Sequence, residues 1–304
     1  MSDAPDSSGR EDASARLLAG GGLPVAASQR LGQLRRDGAF TSALSTDEFA
    51  GLRVVGFDPV GQVMGTSVDH LGYLPYSCGY SYGGFGAGMG YVGARAESID
   101  YYVAALHAAR DRAVGRLVAE CAALGGDGVV GVTVRRTPFP GAARTMEFTA
   151  VGTAVRARGG VRPRRPFTSD LSGQDVAKLL RAGYVPTGLA YGIAVAVRHD
   201  DWRTQSMSSR WVGNVEVPGY TELVGRVRHW ARQDFASVVA RFGGEHAVLR
   251  EMELEIWEQE PADGHRDHFA IATVVGTGDR PVRGGTPVAA SAVHAPTALR
   301  HCDN

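Results

Sequence analysis

Histidine and acidic side chains near the C-terminal end of the chain form its densest group of potential metal ligands. The group comprises Asp263, His265, Asp267 and His268, and its two histidines, three positions apart, could face one ion across a turn. A tight site needs three or four such side chains that converge on one point. The same residues also suit the solvated tip of a β-hairpin, so both interpretations stay open.

Three further potential ligands are spread along the first half of the chain. His70 and Cys78 flank the loop after the second predicted strand, and His107 lies near the start of a long helix. If these side chains meet in the fold, they would bind a heavy or transition metal ion, together with or apart from His265 and His268. The alternative is that each one is structural, as scattered histidines and cysteines commonly are.

A Gly-x-Ser-x-Gly sequence at residues 79–83 places Ser81 where serine hydrolases carry their nucleophile. The motif works only at a sharp turn from a strand into a helix, and the glycine-rich residues that follow start a helix poorly. We therefore predict no catalytic residue and no enzyme. An enzyme whose site forms between subunits, around Ser81 and His107, stays as an alternative.

Residues 78–93 alternate glycine with tyrosine, phenylalanine and methionine. Aromatic loops of this kind suit contacts between subunits or with other proteins. The loop therefore predicts either a mobile connection or a protein–protein interaction module with a partner that the sequence does not identify.

The overall charge is balanced, with 32 arginines and lysines against 32 aspartates and glutamates. No long-range field therefore favours nucleic acid or anionic lipid. Five arginines between Arg156 and Arg165 are a local exception, which we interpret as a solvated linker. No segment reaches the ~18 apolar residues of a membrane span, and three separated cysteines suit a reducing compartment. We predict a cytoplasmic protein with no nucleic-acid or membrane partner.

The chain contains an internal repeat. Residues 40–68 and 167–195 agree at 12 of 29 positions without a gap, including three glycines and one proline. A long stretch with helical periodicity follows each copy, at residues 102–124 and 220–242, and each stretch ends in Gly-Gly. The same folding pattern is thus predicted twice.

Each copy predicts a short helix capped by Ser45 or Ser172, two strands, a loop, the long helix and two more strands. The last two strands fall at residues 129–135 and 144–155 in the first copy, and at 247–258 and 267–275 in the second. We predict an α+β fold of two tandem two-layer sandwich domains, each an antiparallel or mixed sheet with one long helix. The predicted boundaries are a disordered segment at 1–39 with a short helix near 29–36, domains at 40–158 and 167–281, a linker at 159–166 and a disordered tail at 282–304.

Residues 122–134 (AALGGDGVVGVTV), 148–158 (FTAVGTAVRAR) and 52–68 (LRVVGFDPVGQVMGTSV) resemble the YbjQ family of heavy-metal-binding domains. The resemblance covers 52–158 and, more weakly, 179–281, where the Asp-x-Val-Val-Gly junction is replaced by residues 245–249 (EHAVL). It implies small α+β domains that assemble into five-fold rings. The chain is therefore expected to be a homo-oligomeric binding or scaffold protein, a pentameric ring being the implied form, with a metal ion as its implied ligand.

Overall fold

The computed structural model describes residues 7–20, 22–37, 41–72, 96–159, 162–209, 211–262 and 264–282. The helices in these ranges are α1 Ser7–Ala19, α2 Val25–Asp37, α3 Thr46–Val54, α4 Asp100–Ala123, α5 Gly173–Arg181, α6 Trp202–Met207 and α7 Pro218–Arg241. The strands are β1 Phe57–His70, β2 Glu97–Ser98, β3 Gly128–Pro138, β4 Thr145–Ala157, β5 Phe167–Thr168, β6 Tyr184–His199, β7 His246–Ala262 and β8 His265–Pro281. None of the helices in the described ranges is both long enough and apolar enough to cross a membrane.

The strands form two four-stranded sheets. Sheet 1 has the order β1-β4-β3-β5, and sheet 2 has the order β2-β6-β8-β7. Neighbouring strands are antiparallel except for β3 and β5, which pair in parallel. The predicted α+β class and the two units, each with a sheet and a long helix, are confirmed.

The helix boundaries follow from local sequence chemistry. Ser45 and Ser172 accept hydrogen bonds from the backbone N–H groups three residues later, as helix N-caps do. Glu48 completes a capping box by accepting from the Ser45 backbone N–H, at 2.7 Å. The long helices α4 and α7 are followed by Gly125 and Gly243, whose positive φ angles of 70° and 72° turn the chain away from the helix.

Glycines in β1 and β6 let each long helix lie very close to its sheet. A Cβ atom on Gly65 would overlap the backbone carbonyl oxygen of Ala113 in α4, and one on Gly192 would overlap that of Ala231 in α7. These two glycines correspond in the sequence repeat, so both halves use the same packing device.

The helices and sheets stack in four layers, in the order sheet 1, α4, sheet 2, α7. One hydrophobic cluster contains Leu106, Ala113 and Leu117 of α4 together with residues from both sheets. A second cluster joins α7 to the opposite face of sheet 2. Helix α4 is therefore covered on two sides, and α7 has a sheet on one side.

The structure differs from the sequence analysis in the strands that precede the long helices. A pair of strands was predicted in each half, but β1 and β6 are single strands of 14 and 16 residues. The predicted breaks were at glycines, and Gly61 and Gly188 follow register irregularities inside these continuous strands. A glycine in a strand pattern marked a bulge here and not a turn.

The N-terminal segment also differs from the prediction of disorder with one short helix. Helices α1 and α2 cover most of residues 7–37, and the side chain of Leu31 in α2 is buried, with 3% of its surface exposed. Arg30 in α2 forms an ion pair with the buried carboxylate of Glu120 in α4, which anchors the segment to the fold. The Gly/aromatic loop at residues 78–93 lies outside the described residues, as does the predicted tail after residue 282.

Candidate assembly interface

The structure separates the residues that the sequence suggested as metal ligands. His70 lies at the exposed end of β1, with Nδ1 3.4 Å from the Thr145 hydroxyl oxygen. His107 in α4 contacts Asp234 in α7, with 2.7 Å between Nε2 and Oδ2. Cys78 lies outside the described residues, as does Ser81 of the alternative enzyme site.

His268 in β8 lies between two carboxylates, but the arrangement does not fit a metal centre. Asp200 approaches its Nδ1 at 3.2 Å, and Glu258 approaches its Nε2 at 3.5 Å. The two carboxylates therefore face opposite nitrogens and do not converge with the imidazole on one point. His265 lies at the start of β8, and its side chain is outside the described part of the structure.

Within the described residues, no three histidine, cysteine, aspartate or glutamate side chains are grouped as a metal site requires. The described donor residues thus do not fit the heavy-metal ion that the family resemblance implied. Asp267, another member of the C-terminal group, contacts His199 instead, with 2.7 Å between Oδ1 and Nδ1, and Asp263 lies outside the described residues.

Three of the arginines near the linker contact the first domain. Arg156 donates to the carbonyl oxygens of Gly125 and Leu124 at the end of α4, at 2.6 and 2.8 Å. Arg158 pairs with Asp58, and Arg162 pairs with Asp127. These contacts tie the linker to the end of the first domain.

The two halves meet at the internal seam, which we define as the packing of α4 on the face of sheet 2 that points away from α7. On that face Leu189, Tyr191 and Val195 share a buried cluster with α4. Arg110 of α4 lies over the Tyr191 ring, with its guanidinium carbon 4.2 Å from the ring centroid. Burial lowers the pKa of Arg110 and raises that of Tyr191.

The face of sheet 1 that corresponds to the seam is exposed around Met64 and Val68. In the sequence repeat, Gly65 of β1 aligns with Gly192 of β6. Met64 is therefore the counterpart of Tyr191, and Val68 is the counterpart of Val195. Met64 is 42% and Val68 is 48% exposed, against 6% and 0% for Tyr191 and Val195. We call the residues around Met64 and Val68 the open face.

The edges of the two sheets show the same difference. Val130 in β3 is fully buried beside Leu171 and Val176, which lie in the second half of the chain. Val130 lies five residues after Gly125 at the end of α4, and Val248 in β7 lies five residues after Gly243 at the end of α7. Val248 is therefore the counterpart of Val130, and it is 40% exposed. The contacts at Tyr191 and at Val130 thus each have an uncovered counterpart at one end of the stack.

The contact between His107 and Asp234 beside the seam joins the two long helices. Besides contacting His107, Asp234 accepts a hydrogen bond from the Ile193 backbone N–H at 2.8 Å. Burial opposes ionisation of this carboxyl, but the bonds to His107 and Ile193 prevail and its pKa is lowered. The charged form of Asp234 therefore stabilises the seam.

Sequence reasoning missed the seam because it treated the two domains as separate sandwiches. Two short strands in fact cross between the halves: β2 precedes α4 but pairs with β6, and β5 precedes α5 but pairs with β3. Strands of two residues carry no periodicity, so the pattern could not predict them. The sequence repeat was the available signal, because similar units in one chain commonly stack on each other.

Comparisons with known proteins identify a domain in the first half of the chain and one relative of most of its length. Residues 84–158 match the YbjQ_1 family model, which is described as putative heavy-metal-binding. The fold is thus that of an α+β protein with a YbjQ-like domain in its first half. The chain belongs to the same family as the encapsulin nanocompartment protein Rv1762c of Mycobacterium tuberculosis. The two are 35% identical over 234 residues, which cover 74% of this chain and 81% of that protein.

Proposed function

We propose that this protein assembles head to tail with copies of itself, as a component of a protein nanocompartment. The observation that carries the proposal is the difference in exposure between Met64 and Tyr191, at 42% and 6%. The same sheet position is covered by a long helix inside the chain and uncovered at its end. Burial of apolar area is the main driving force for association.

In the assembly, α7 of one copy would cover the open face of the next copy, as α4 covers sheet 2 within the chain. Gly65 faces Ala113 of α4, and its counterpart Gly192 faces Ala231 of α7, so these two alanines occupy equivalent helix positions. Arg228, three residues before Ala231, is therefore the counterpart of Arg110, three residues before Ala113. Arg228 is exposed, whereas Arg110 is 8% exposed. Such a contact joins two different surfaces, so it generates a closed ring or an open filament.

We infer that the second half is a diverged copy of the YbjQ-like domain. The backbone hydrogen bonds that close each half support this: Arg158 donates to Gly56 at 2.9 Å and Val282 donates to Gly183 at 2.8 Å. The name of the mycobacterial relative supports membership of a nanocompartment. A ring of five chains, the number implied by the resemblance, would contain ten stacked sheets.

The test replaces the apolar residues of the open face. The double substitution Met64→Asp and Val68→Asp should reduce the native mass to that of one chain, because it places two charges in a dehydrated contact. The matched control is Phe139→Asp, which changes an equally exposed residue at the turn between β3 and β4, off the open face. Retention of the full oligomer by the double variant, in negative-stain images and native mass, would contradict the proposal.

The proposal assigns no catalytic residue and places the protein in the cytoplasm. Metal binding would be a second function, and metal analysis of the untagged oligomer measures it directly. A stoichiometric ion that is lost on Cys78→Ala, but kept in the His229→Ala control, would support it. Oligomers that carry no ion would leave self-assembly as the only function proposed.

A further inference from the structure

The way in which β2 joins the two halves suggests how neighbouring copies join. Glu97 and Ser98 pair antiparallel with Val197 and Ala196 of β6. The next residue, Ile99, donates its backbone N–H to the Val195 carbonyl oxygen at 3.0 Å and then begins α4 as its N-cap. The first half thus adds a short strand to the edge of the second-half sheet immediately before its long helix.

The second half has a similar backbone conformation immediately before its long helix. Val217 is the N-cap of α7, and its backbone angles of −100° and 97° resemble the −115° and 72° of Ile99. The Val217 carbonyl oxygen accepts from Tyr220 and Thr221, and the Ile99 carbonyl oxygen accepts from Tyr102 and Val103, all at 3.1 Å. Residues 215–216 therefore correspond to β2, yet both are exposed, Val215 by 51%.

The edge that would receive this strand is the last part of β1. Strand β1 is at the edge of sheet 1, with β4 as its neighbour. In its middle, side chains occupy the edge: Glu120 accepts from the Met64 N–H at 2.8 Å, and Arg116 donates to the Thr66 carbonyl oxygen. Within the described residues, no backbone or side-chain hydrogen bond occupies this edge at Val68 and His70.

We propose that residues 215–216 of one copy add as an antiparallel strand to the end of β1 in the next copy. The inference rests on the proposed self-assembly. It specifies the register of the strand pair between copies, with Val215 opposite His70 and Glu216 opposite Asp69. The Val217 N–H then donates to the Val68 carbonyl oxygen of the neighbouring copy. Edge strands with free backbone groups favour such addition, because main-chain hydrogen bonds form without further unfolding.

The register is tested by a disulfide between copies. In the proposed strand pair, Asp69 and Glu216 occupy a non-hydrogen-bonded pair, whose Cα separation of about 4.5 Å suits a disulfide. The double variant Asp69→Cys and Glu216→Cys is made in a chain whose Cys78 and Cys302 are replaced by serine. Under mild oxidation it should form a covalent ladder at multiples of one chain, 32.1 kDa.

The control carries Gln62→Cys in place of Asp69→Cys, seven residues along the same strand or about 23 Å away, and should form no ladder. The neighbouring pair His70→Cys and Val215→Cys repeats the test if the first variant folds poorly. A native oligomer without a ladder in either in-register pair, or with an equal ladder in the control, overturns the register while self-assembly stands. A monomeric parent chain would contradict self-assembly itself.

Discussion

Arg110 and Tyr191 face each other across the internal seam, with the guanidinium carbon 4.2 Å from the ring centroid. Arg110 belongs to the first half of the chain and Tyr191 to the second. The Tyr191 hydroxyl, like the Arg110 Nε and Nη1 atoms, has no hydrogen-bond partner among the described residues. Attraction between the cation and the ring therefore contributes to keeping this arginine buried.

Tyr191→Ala should destabilise the folded chain by about 3–5 kcal/mol, the usual cost of removing a large buried aromatic side chain. Urea unfolding followed by tryptophan fluorescence measures this change. Trp202→Ala is the control, because Trp202 is 80% exposed and its loss should change the unfolding free energy by no more than about 0.5 kcal/mol. Equal effects of the two substitutions would contradict the seam as described.

Asp234→Asn should lower the unfolding free energy at pH 7 by about 1–3 kcal/mol, the range for hydrogen bonds to a charged group. The pKa of Asp234 is lower in the folded chain than its ordinary value, so its contribution is complete above about pH 4. The contribution is lost as the pH falls through the lowered folded pKa. Unfolding curves of the two proteins should therefore converge in acid, and a difference that stays constant down to pH 2 would count against the assignment.

Gly65→Ala should destabilise the chain by at least about 1–3 kcal/mol, because the added methyl group meets helix backbone that cannot move aside. Gly115→Ala is the matched control inside α4, where no atom lies within 4 Å of the added Cβ. That substitution should stabilise the chain by up to about 1 kcal/mol through helix propensity. Thermal unfolding of both variants gives the comparison, and the same sign for both would be inconsistent with the close packing of α4 on β1.

Cys121 should resist alkylation in the native protein. Burial raises the pKa of its thiol to about 12, and the reactive thiolate is therefore scarce at neutral pH. In a variant with serine at positions 78 and 302, maleimide labelling should be slow until denaturant is added. Rapid labelling of the native chain would place Cys121 at the surface, against its position in the core.

Much of the fold could be predicted from the sequence because the signals were local and repeated. Helical periodicity located α4 and α7, and the serine caps located α3 and α5. The internal seam could not be predicted in the same way. Met64 and Tyr191 are both apolar residues at equivalent positions, and the sequence does not show that a helix of the other half covers only Tyr191. The metal site stays a prediction: His70, His107 and His268 belong to three different elements and form no group of donors in the described residues, and the side chains of Cys78 and His265 lie outside the described part.

The native mass of the untagged protein at micromolar concentration tests the central claim most directly. Head-to-tail assembly predicts species of at least two chains: a closed ring gives one dominant mass, five times 32.1 kDa for ten stacked sheets, and an open filament gives a series of multiples of 32.1 kDa. A single species at 32.1 kDa across the accessible concentration range would contradict the account.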